Sequence, residues 1–534
     1  MSLQHQMSPL ADNEVRLTRE EHEQCATKRV TYSRTDYLET EICPSQKNQN
    51  VILNWLTSRY FFLFLISLGA LLRVCVLPKT GTEDHGVFML WSYVGATHSV
   101  SDIYPIVGAS KAPLCLQSFI DICTLKIQPM VANHNNIECF VDYPPLIPWL
   151  LGLAGKIYSL YSPTLENSKL FEAIVKLPEI ISECLICFII FEHVNKANGT
   201  RIARLASLSY WLNPVVILTG PFYAYQDSLC MLWIVLAVLA AVYKNFSKSA
   251  MFCAVAFMTK PQAVIVFPAL FAASVLLKNH SKTYRHMLAF FGVLSCFFIP
   301  FLMDGTLVNL CANNWRNAIE PFLSGQCCNP WWLINYADQI HESLTRTFDV
   351  SSALRVQPTI GTNSPLNSDG SLAVATIISI ALYSVWITFV LYRWWRYVST
   401  LNSQDKRVWL LPECCALLMF GQCMILLHAH ENHGYGAAVL LLGTWTLNQK
   451  FIDWKLLLIG WCWSILVSLN LINFYGLGPL LRSTNLHNLL WLDFSVVLSI
   501  ANTIFGVYWI KRWIQITRIT PHKFRSNATA SIMS

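Results

Sequence analysis

Long apolar runs separated by short polar segments dominate the chain between residues 56 and 510. A helix needs about 20 mostly apolar residues to cross the hydrocarbon core of a bilayer, which is about 30 Å thick. Several runs have that length, and the shorter ones suit tilted or broken helices. The pattern predicts an all-α integral membrane protein, a bundle of about 12 transmembrane helices. The predicted spans are 56–77, 170–193, 204–221, 228–243, 249–264, 265–277, 286–302, 371–392, 408–427, 434–448, 455–473 and 489–510.

The composition agrees with a membrane-embedded chain. Hydrophobic residues make up 54% of the sequence and charged residues 13%, whereas soluble domains carry roughly 25% charged residues. The formal net charge is +7, and the basic residues lie next to the predicted spans. Such a placement orients a protein in its membrane and does not indicate nucleic-acid binding. We therefore expect no nucleic-acid partner, and membrane lipid around the helices.

The segment 146–161 decides the predicted topology, because it is apolar enough to span. If it does not span, the basic loops and the N-terminal tail fall on one side, which the positive-inside rule makes cytoplasmic. If it spans, every later loop changes side and the rule fails from Lys196 onward. We therefore expect a re-entrant or interfacial helix at 146–161. The basic residues behind this argument are Lys196, Arg201, Arg204, Lys244, Lys248, Lys278, Lys282, Arg285, Arg393, Arg396, Lys406, Arg407, Lys450, Lys455, Lys511 and Arg512.

This topology divides the chain into five parts. The first residues are polar, of mixed charge, and lack the apolar core of a signal peptide, so we expect a disordered cytosolic tail. The predicted parts are this tail (1–55), a membrane module that carries the candidate site and the large exoplasmic loop 78–169 (56–302), a second exoplasmic loop (303–370), C-terminal membrane helices (371–510) and a cytosolic tail (511–534).

The two exoplasmic loops contain six cysteines. In an oxidising compartment such cysteines pair, although the sequence does not give the connectivity. We expect at least one disulfide among them; unpaired buried thiols are the alternative. The six are Cys115, Cys123, Cys139, Cys311, Cys327 and Cys328.

Five polar motifs lie at the exoplasmic ends of the predicted spans. Polar and ionisable groups at a membrane are costly, so each is a candidate for function. The basic loops alone determined the topology, so the placement of all five motifs on one side is an independent observation. The motifs are Glu83-Asp84-His85, Asp142-Tyr143-Pro144-Pro145-Leu146, Tyr225-Gln226-Asp227-Ser228, Lys260-Pro261-Gln262-Ala263 and His428-Ala429-His430-Glu431-Asn432-His433.

Each motif also has a purely structural interpretation. The acidic pair could be solvated, Asp142 and the Gln226-Asp227 pair could cap the helices that follow, and Lys260 could extend to the interface. The histidines lack the i, i+4 spacing of a helical metal site. We therefore expect no metal.

Sugar transfer from a lipid-phosphate donor needs this set of groups at a membrane surface. The acceptor hydroxyl needs a general base, for which a carboxylate is suited. The departing phosphate needs cationic or N–H stabilisation as its negative charge develops. Because phosphate leaves readily, no separate general acid is required, in contrast to a glycosidase.

The motifs resemble those of the GT-C glycosyltransferases, multi-span enzymes that use polyprenyl-phosphate sugars. Asp142–Leu146 is similar to the "DYPPL" string of the dolichyl-phosphate-glucose glucosyltransferases of N-glycan assembly and of the mannosyltransferases related to the second GPI-anchor mannosyltransferase. Lys260–Ala263 matches "KPQA" of the latter family, and Tyr225–Ser228 resembles its "GQxD" box with Tyr225 in place of glycine. His428–Glu431 is similar to the glucosyltransferases' "HVHE" and to the "HER" of bacterial relatives.

The resemblance implies a role for each motif. Asp84 would be the catalytic base, with Glu83 as the neighbouring candidate. Asp142, Tyr143, Gln226 and Asp227 would position the substrates. The donor phosphate and sugar would be bound by Lys260, Gln262, His428, His430 and Glu431.

The sequence thus predicts a GT-C-like inverting hexosyltransferase. It would move mannose or glucose from a polyprenyl (dolichyl) phosphate donor to a lipid-linked glycan or another exoplasmic acceptor, without a cofactor. The endoplasmic reticulum membrane with a lumenal site is favoured, or a bacterial plasma membrane with a periplasmic site. Two alternatives remain: a transporter or flippase of a lipid-linked or anionic substrate, and a catalytically silent scaffold subunit. Glucose and mannose are not distinguished, and the acceptor is open.

Overall fold

Helices form almost all the regular structure in the part of the chain that the structure describes. The structure is a computed structural model that describes residues 58–79, 81–97, 104, 143–166, 168–277, 283–318, 323–347, 373–401, 410–444, 453–475 and 493–518. The predicted tail 1–55, most of the loop 98–142 with Asp142, Cys115, Cys123 and Cys139, and the segment 519–534 lie outside the described residues.

Before the first strand the described chain is helical, interrupted by short turns. The helices are α1 (Arg59–Val76), α2 (Glu83–Thr97), α3 (Leu146–Ser159), α4 (Lys169–Val175), α5 (Leu177–Asn198), α6 (Thr200–Trp211), α7 (Pro214–Ile217) continued by a π-helix (Leu218–Phe222), α8 (Asp227–Val242), α9 (Phe246–Phe257), a 3₁₀ helix (Pro261–Val266), α10 (Phe267–Leu277), α11 (Thr283–Met303) and α12 (Leu307–Ala318).

Two short strands pair in the second half of the described chain. The elements are β1 (Ser324–Gly325), α13 (Pro330–Thr347), α14 (Val374–Ser399), α15 (Leu411–Ile425), β2 (Ala429–His430), α16 (Tyr435–Thr444), α17 (Trp454–Tyr475) and α18 (Phe494–Ile516). The strands are parallel, with Ser324 opposite Ala429 and Gly325 opposite His430. Gln326 then forms an antiparallel bridge to His430.

Five described helices are long and apolar enough to cross a membrane: α1, α11, α14, α17 and α18. The pair α6 and α7, with its π-helix, is bent by 47° and would be a sixth span if it crosses as one unit. These helices agree with an all-α membrane protein. The predicted count of about 12 spans is not confirmed, because helices α8, α9 and α15 and the 3₁₀–α10 unit have only 10–17 residues.

The predicted span 170–193 is broken at Lys176, where α4 ends and α5 begins. Pro178 stands in the first turn of α5, where its missing N–H leaves no additional unsatisfied group. Within α5, Glu179 and Glu183 are buried. A hydropathy pattern cannot show this break, because a helix end at Lys176 changes the backbone and not the apolar composition.

Helix α3 is the segment on which the predicted topology depends. It has 14 residues, so at 1.5 Å per residue it is roughly 21 Å long, shorter than the hydrocarbon core. It packs closely on α2: a Cβ added at Gly155 would lie 2.0 Å from the Ser92 carbonyl oxygen, and one at Gly152 would lie 3.1 Å from Gly95 Cα. Small residues therefore bring the two helix backbones together.

Breaks between the helices place the polar groups. Asn213 caps α7 by accepting the Val215 N–H at 3.1 Å, directly before the kink at Pro214. Lys260 has extended backbone (φ −141°, ψ 133°) before Pro261, as expected for a residue that precedes proline. At membrane depth, irregular backbone is tolerated where it is buried in protein or lines a cavity. The candidate motifs lie at such breaks.

Candidate functional site

Asp227, Lys260 and Asn432 form a buried polar cluster. Lys260 Nζ donates to Asp227 Oδ1 at 2.5 Å, and Asn432 Nδ2 donates to Asp227 Oδ2 at 2.8 Å. The exposed fractions are 8% for Asp227 and 4% for each of the other two residues. We call these three residues the ion-pair cluster. It joins three motifs that are far apart in the sequence.

The charge on Lys260 is stabilised by its neighbours. The Lys260 ammonium is buried, and the Asp227 carboxylate that accepts its hydrogen bond supplies the opposite charge. The ammonium also lies 5.1 Å from the centre of the Tyr143 ring, within the range of a cation–π interaction. Lys260 is therefore a cation that Asp227 neutralises.

Tyr143 is held among aromatic side chains next to this cluster. Its ring centre lies 5.9 Å from that of Phe88 and 5.6 Å from that of Trp91, both edge-on. The Tyr104 hydroxyl donates to the Tyr143 carbonyl at 2.8 Å. The Leu146 N–H donates to the Met258 carbonyl at 3.0 Å, which ties the start of α3 to the segment before Lys260.

Glu431 is the buried centre of a second cluster, which contains two phenols: Tyr225, which is buried, and Tyr475, which is 37% exposed. The Tyr475 hydroxyl donates to Glu431 Oε1 at 2.8 Å, and the Tyr225 hydroxyl makes a short hydrogen bond to the same oxygen. The two phenol oxygens are 2.9 Å apart. Glu431 is 3% exposed, and its backbone carbonyl accepts from Asn470 Nδ2 at 3.3 Å. We call Glu431, Tyr225 and Tyr475 the carboxylate–phenol cluster.

Asp84 is exposed in the first turn of α2, close to the carboxylate–phenol cluster. Burial, Glu431, Tyr475 and the Asp84 charge, in that order, raise the pKa of Tyr225 well above its usual value. The Asp84 carboxylate therefore acts electrostatically on the phenol that holds Glu431. The side chain of Glu83 lies outside the described residues, so its role stays a prediction.

The turn before Asp84 is fixed by contacts to the π-helix. The Thr82 N–H and hydroxyl both donate to the Tyr223 carbonyl, at 3.1 Å and 3.2 Å. A Cβ at Gly81 would lie 2.5 Å from that carbonyl oxygen, so only glycine fits there. The Gly81 N–H donates to Nδ1 of the buried His85 at 3.0 Å. These bonds tie the turn before Asp84 to Tyr223, two residues before Tyr225.

Burial, and then the charges of Lys176 and Lys169, lower the pKa of His85 to about 3, although a backbone hydrogen bond at Glu172 acts in the opposite direction. His85 is therefore neutral near pH 7. A neutral ring can accept the Gly81 N–H through Nδ1, and this acceptor helps to hold the turn that carries Asp84.

The histidine motif is held by the two-stranded sheet. His428 has a left-handed backbone (φ 58°), and its N–H donates to the Leu323 carbonyl at 3.2 Å. The His430 N–H donates to His433 Nδ1 at 3.1 Å. The His430 ring is 39% exposed, with Nδ1 4.0 Å from Glu431 Oε2. Of these histidines, His430 thus combines exposure with a nearby carboxylate.

A small polar cavity lies against the ion-pair cluster. Its volume is about 30 Å³, measured as the space open to the centre of a water molecule. That is room for about two waters. It is lined in part by Asp227, Lys260, Gln262, Asn432 and His433. Among the described residues, Gln262 Oε1 and Asn432 Oδ1 accept no hydrogen bond, so two acceptors remain at the cavity wall.

Glu179 caps α8. The structural interpretation of the sequence motif had assigned this role to Gln226 and Asp227. Glu179 Oε1 accepts the Ser228 N–H at 2.5 Å and Oε2 accepts the Leu229 N–H at 2.9 Å. Gln226 precedes the helix but makes no capping bond through its side chain. It is 1% exposed, and neither atom of its amide has a hydrogen-bond partner among the described residues. The capping interpretation of this pair is therefore wrong.

The structure brings most of the predicted residues into two adjoining clusters. Lys260, Asp227 and Tyr143 meet at one, and Glu431 with Asp84 nearby at the other; the neighbours Glu431 and Asn432 connect them. Sequence reasoning missed Tyr475. It ends the apolar helix α17, 44 positions from Glu431, and no local motif marks it.

Metal and disulfide predictions concern the same region. Within the described ranges, no group of three or more His, Cys, Asp or Glu side chains is arranged to hold a metal ion; metal independence stays a prediction. Cys311, Cys327 and Cys328 carry no disulfide bond in this structure. A disulfide among the other three loop cysteines falls outside the described residues and also stays a prediction.

Comparison with known proteins gives no family for this chain. None of the known protein-family models matches it, and a search of curated proteins finds no similar sequence.

Proposed function

We propose that the chain is an inverting hexosyltransferase that moves glucose or mannose from a polyprenyl (dolichyl) phosphate to a glycan or glycolipid acceptor at a membrane surface. One observation carries the proposal: the turn that leads into exposed Asp84 is bonded to the Tyr223 carbonyl, two residues before Tyr225 of the carboxylate–phenol cluster, and this cluster adjoins a buried ion pair. An exposed base next to fixed, buried polar groups suits displacement at an anomeric carbon.

In this proposal Asp84 is the general base. It is exposed, so an acceptor hydroxyl can reach it. The carboxylate takes the hydroxyl proton while the oxygen attacks the anomeric carbon. The carbon–oxygen bond to the lipid phosphate breaks on the opposite face, and the configuration inverts. The hydrogen bonds at Gly81 and Thr82 keep the base in place. Holding reactants in alignment lowers the activation barrier of the reaction.

The departing phosphate is assigned to the histidine motif. His430 is the exposed ring, with Nδ1 4.0 Å from Glu431 Oε2. A protonated imidazole donates to phosphate oxygens as their charge develops. Lys260 is already bonded to Asp227, so we assign it to shaping the site and not to the first contact with phosphate. Gln262, with an oxygen at the cavity wall, is available for sugar hydroxyls.

Replacement of Asp84 by asparagine tests the proposal. The amide side chain has the size of the carboxylate but cannot accept a proton, and loss of a general base typically lowers the rate by 10²–10⁴-fold. Transfer would be measured with purified protein, radiolabelled dolichyl-phosphate glucose or mannose, and a lipid-linked glycan. We expect a fall of that size with unchanged donor binding. Glu83→Gln is the matched control, one residue away on the same turn.

Two outcomes would contradict this mechanism. Loss of transfer in Glu83→Gln with near-normal transfer in Asp84→Asn would move the base to Glu83. Normal turnover in both variants would remove the single-base mechanism. In the latter case the transporter alternative would be favoured. The bent pair α6–α7 resembles the discontinuous helices that transporters use at their binding sites.

A further inference from the structure

Two buried cysteines that are distant in the sequence lie in contact, each within a few residues of a strand of the two-stranded sheet. Cys327 Sγ and Cys423 Sγ are 3.3 Å apart, across 96 positions of the chain. The exposed fractions are 2% and 3%. Cys327 follows β1 and Gln326; Cys423 lies near the end of α15, shortly before the histidine motif. The predicted disulfide set did not include Cys423, because it falls in the predicted span 408–427.

The segments around this pair are held by further bonds. Asn329 Nδ2 donates to the Cys423 carbonyl at 3.0 Å, and Ser324 Oγ donates to the Cys327 carbonyl at 2.8 Å. Trp331 Nε1 donates to the Ile425 carbonyl at 2.6 Å. The two segments are therefore placed next to each other independently of the sulfur atoms. Their facing thiols need to approach by only about 1.3 Å to reach the S–S bond length.

We propose that Cys327 and Cys423 form a disulfide in the mature protein, one that fastens the segment after β1 to the end of α15. The cross-link would connect the segment after β1 to the helix that precedes β2, the strand that carries His430 and is followed by Glu431. A disulfide that closes a chain segment this long removes much of the freedom of the unfolded chain. This proposal does not depend on the proposed transferase activity.

The oxidant in this proposal is a protein or small-molecule disulfide. The thiolate of one cysteine attacks a sulfur of the oxidant, forms a mixed disulfide and releases one thiol. The second cysteine displaces the remaining half, so that both S–H bonds are lost, one S–S bond forms in the chain, and the oxidant is reduced to two thiols. In the folded protein the hydrogen bond to Cys423 and burial raise the pKa of Cys327, which disfavours the attacking thiolate. Both thiols are also too buried in the folded protein for an oxidant to reach them, so we place the oxidation before the pair is buried.

Peptide mapping of the full-length protein in its native membranes tests the proposal. Membranes are acidified to stop thiol exchange. They are then dissolved in SDS, and free thiols are blocked with N-ethylmaleimide before any reductant is added. Chymotrypsin cleavage after Phe420 separates Cys423 from Cys414 and Cys415, while Cys327 and Cys328 stay on one peptide. Mass spectrometry then compares digests with and without a reductant.

We expect a reductant-sensitive peptide linked to Cys423 as the main form of that residue. The linked peptide should persist in Cys328→Ser and disappear in Cys327→Ser, which leaves Cys423 blocked by N-ethylmaleimide. Cys328 is the matched control because it is adjacent in the chain and equally buried. The proposal is overturned if Cys327 and Cys423 carry N-ethylmaleimide as their main form in the unmutated protein, or if either is linked to a different cysteine. In the unmutated protein, fragmentation of the linked peptide shows whether Cys327 or Cys328 carries N-ethylmaleimide, so the test does not depend on the folding of a variant.

Discussion

Breaking the Asp227–Lys260 ion pair has a large predicted cost that depends on which partner is removed. Lys260→Met leaves the Asp227 carboxylate 8% exposed with Asn432 as its remaining partner in the cluster. Asp227→Asn leaves the Lys260 ammonium 4% exposed. The double variant Asp227→Asn/Lys260→Met removes both charges and leaves neither ion uncompensated. The order of stability should be unmutated protein, then the double variant, then the two single variants.

The magnitude follows from the distance and the burial. At 2.5 Å between Lys260 Nζ and Asp227 Oδ1, two unit charges attract by about 7 kcal/mol at an effective dielectric constant of about 20. Desolvation of both ions offsets most of that. Removing one partner of a buried pair costs about 3–5 kcal/mol, because the other charge stays buried alone. For the double variant to be more stable than either single variant, the coupling free energy of the cycle must exceed the cost of one single variant, so it should be at least about 3–5 kcal/mol.

In the assay, the detergent-solubilised protein is unfolded by increasing concentrations of SDS. Unfolding is monitored as the loss of the helical circular-dichroism signal. Lys248→Met is the matched control, since Lys248 is exposed on α9, the helix just before Lys260; it should leave the stability unchanged. If the two single-variant costs simply add in the double variant, the pair is not coupled and the reasoning fails. Transferase activity retained by the double variant would show that the Lys260 charge is not needed to bind the donor.

Two further predictions concern the surroundings of Asp84 and Glu431. The pKa of His85 is about 3 in the folded protein, against an ordinary value of 6.5. The contribution of neutral His85 to the free energy of unfolding is therefore full above pH 6.5 and is lost as the pH falls toward 3. At pH 5 the loss should be about 2 kcal/mol. SDS unfolding between pH 7.5 and 5 should show a flatter profile for His85→Gln, and an equal slope would contradict this assignment. Tyr475→Phe removes one hydrogen-bond donor from buried Glu431 and should lower the free energy of unfolding by about 1–3 kcal/mol. The same assay measures it beside the exposed control Tyr508→Phe. Equal effects of the two variants would refute the role of the Tyr475 hydroxyl.

Local signals predicted the helices that are long and apolar, with small errors at the ends. The predicted spans 56–77, 286–302 and 455–473 correspond to α1 (Arg59–Val76), α11 (Thr283–Met303) and α17 (Trp454–Tyr475). Apolar length is a property of consecutive residues, so it can be read from the sequence. The break at Lys176 and the capping of α8 by Glu179 could not be read in this way, because both depend on what packs against the backbone.

The sequence alone determined where polar groups interrupt the apolar runs and hence which motifs to examine, since each motif is a short string of neighbouring residues. The tertiary structure decided the partner of each group: Asp227 with Lys260 across 33 positions, Tyr475 with Glu431 across 44, and Cys327 with Cys423 across 96. Such pairs follow from how helices pack and where they break. Hydrophobic periodicity fixes the face that a helix buries, but it does not specify which distant side chain meets that face.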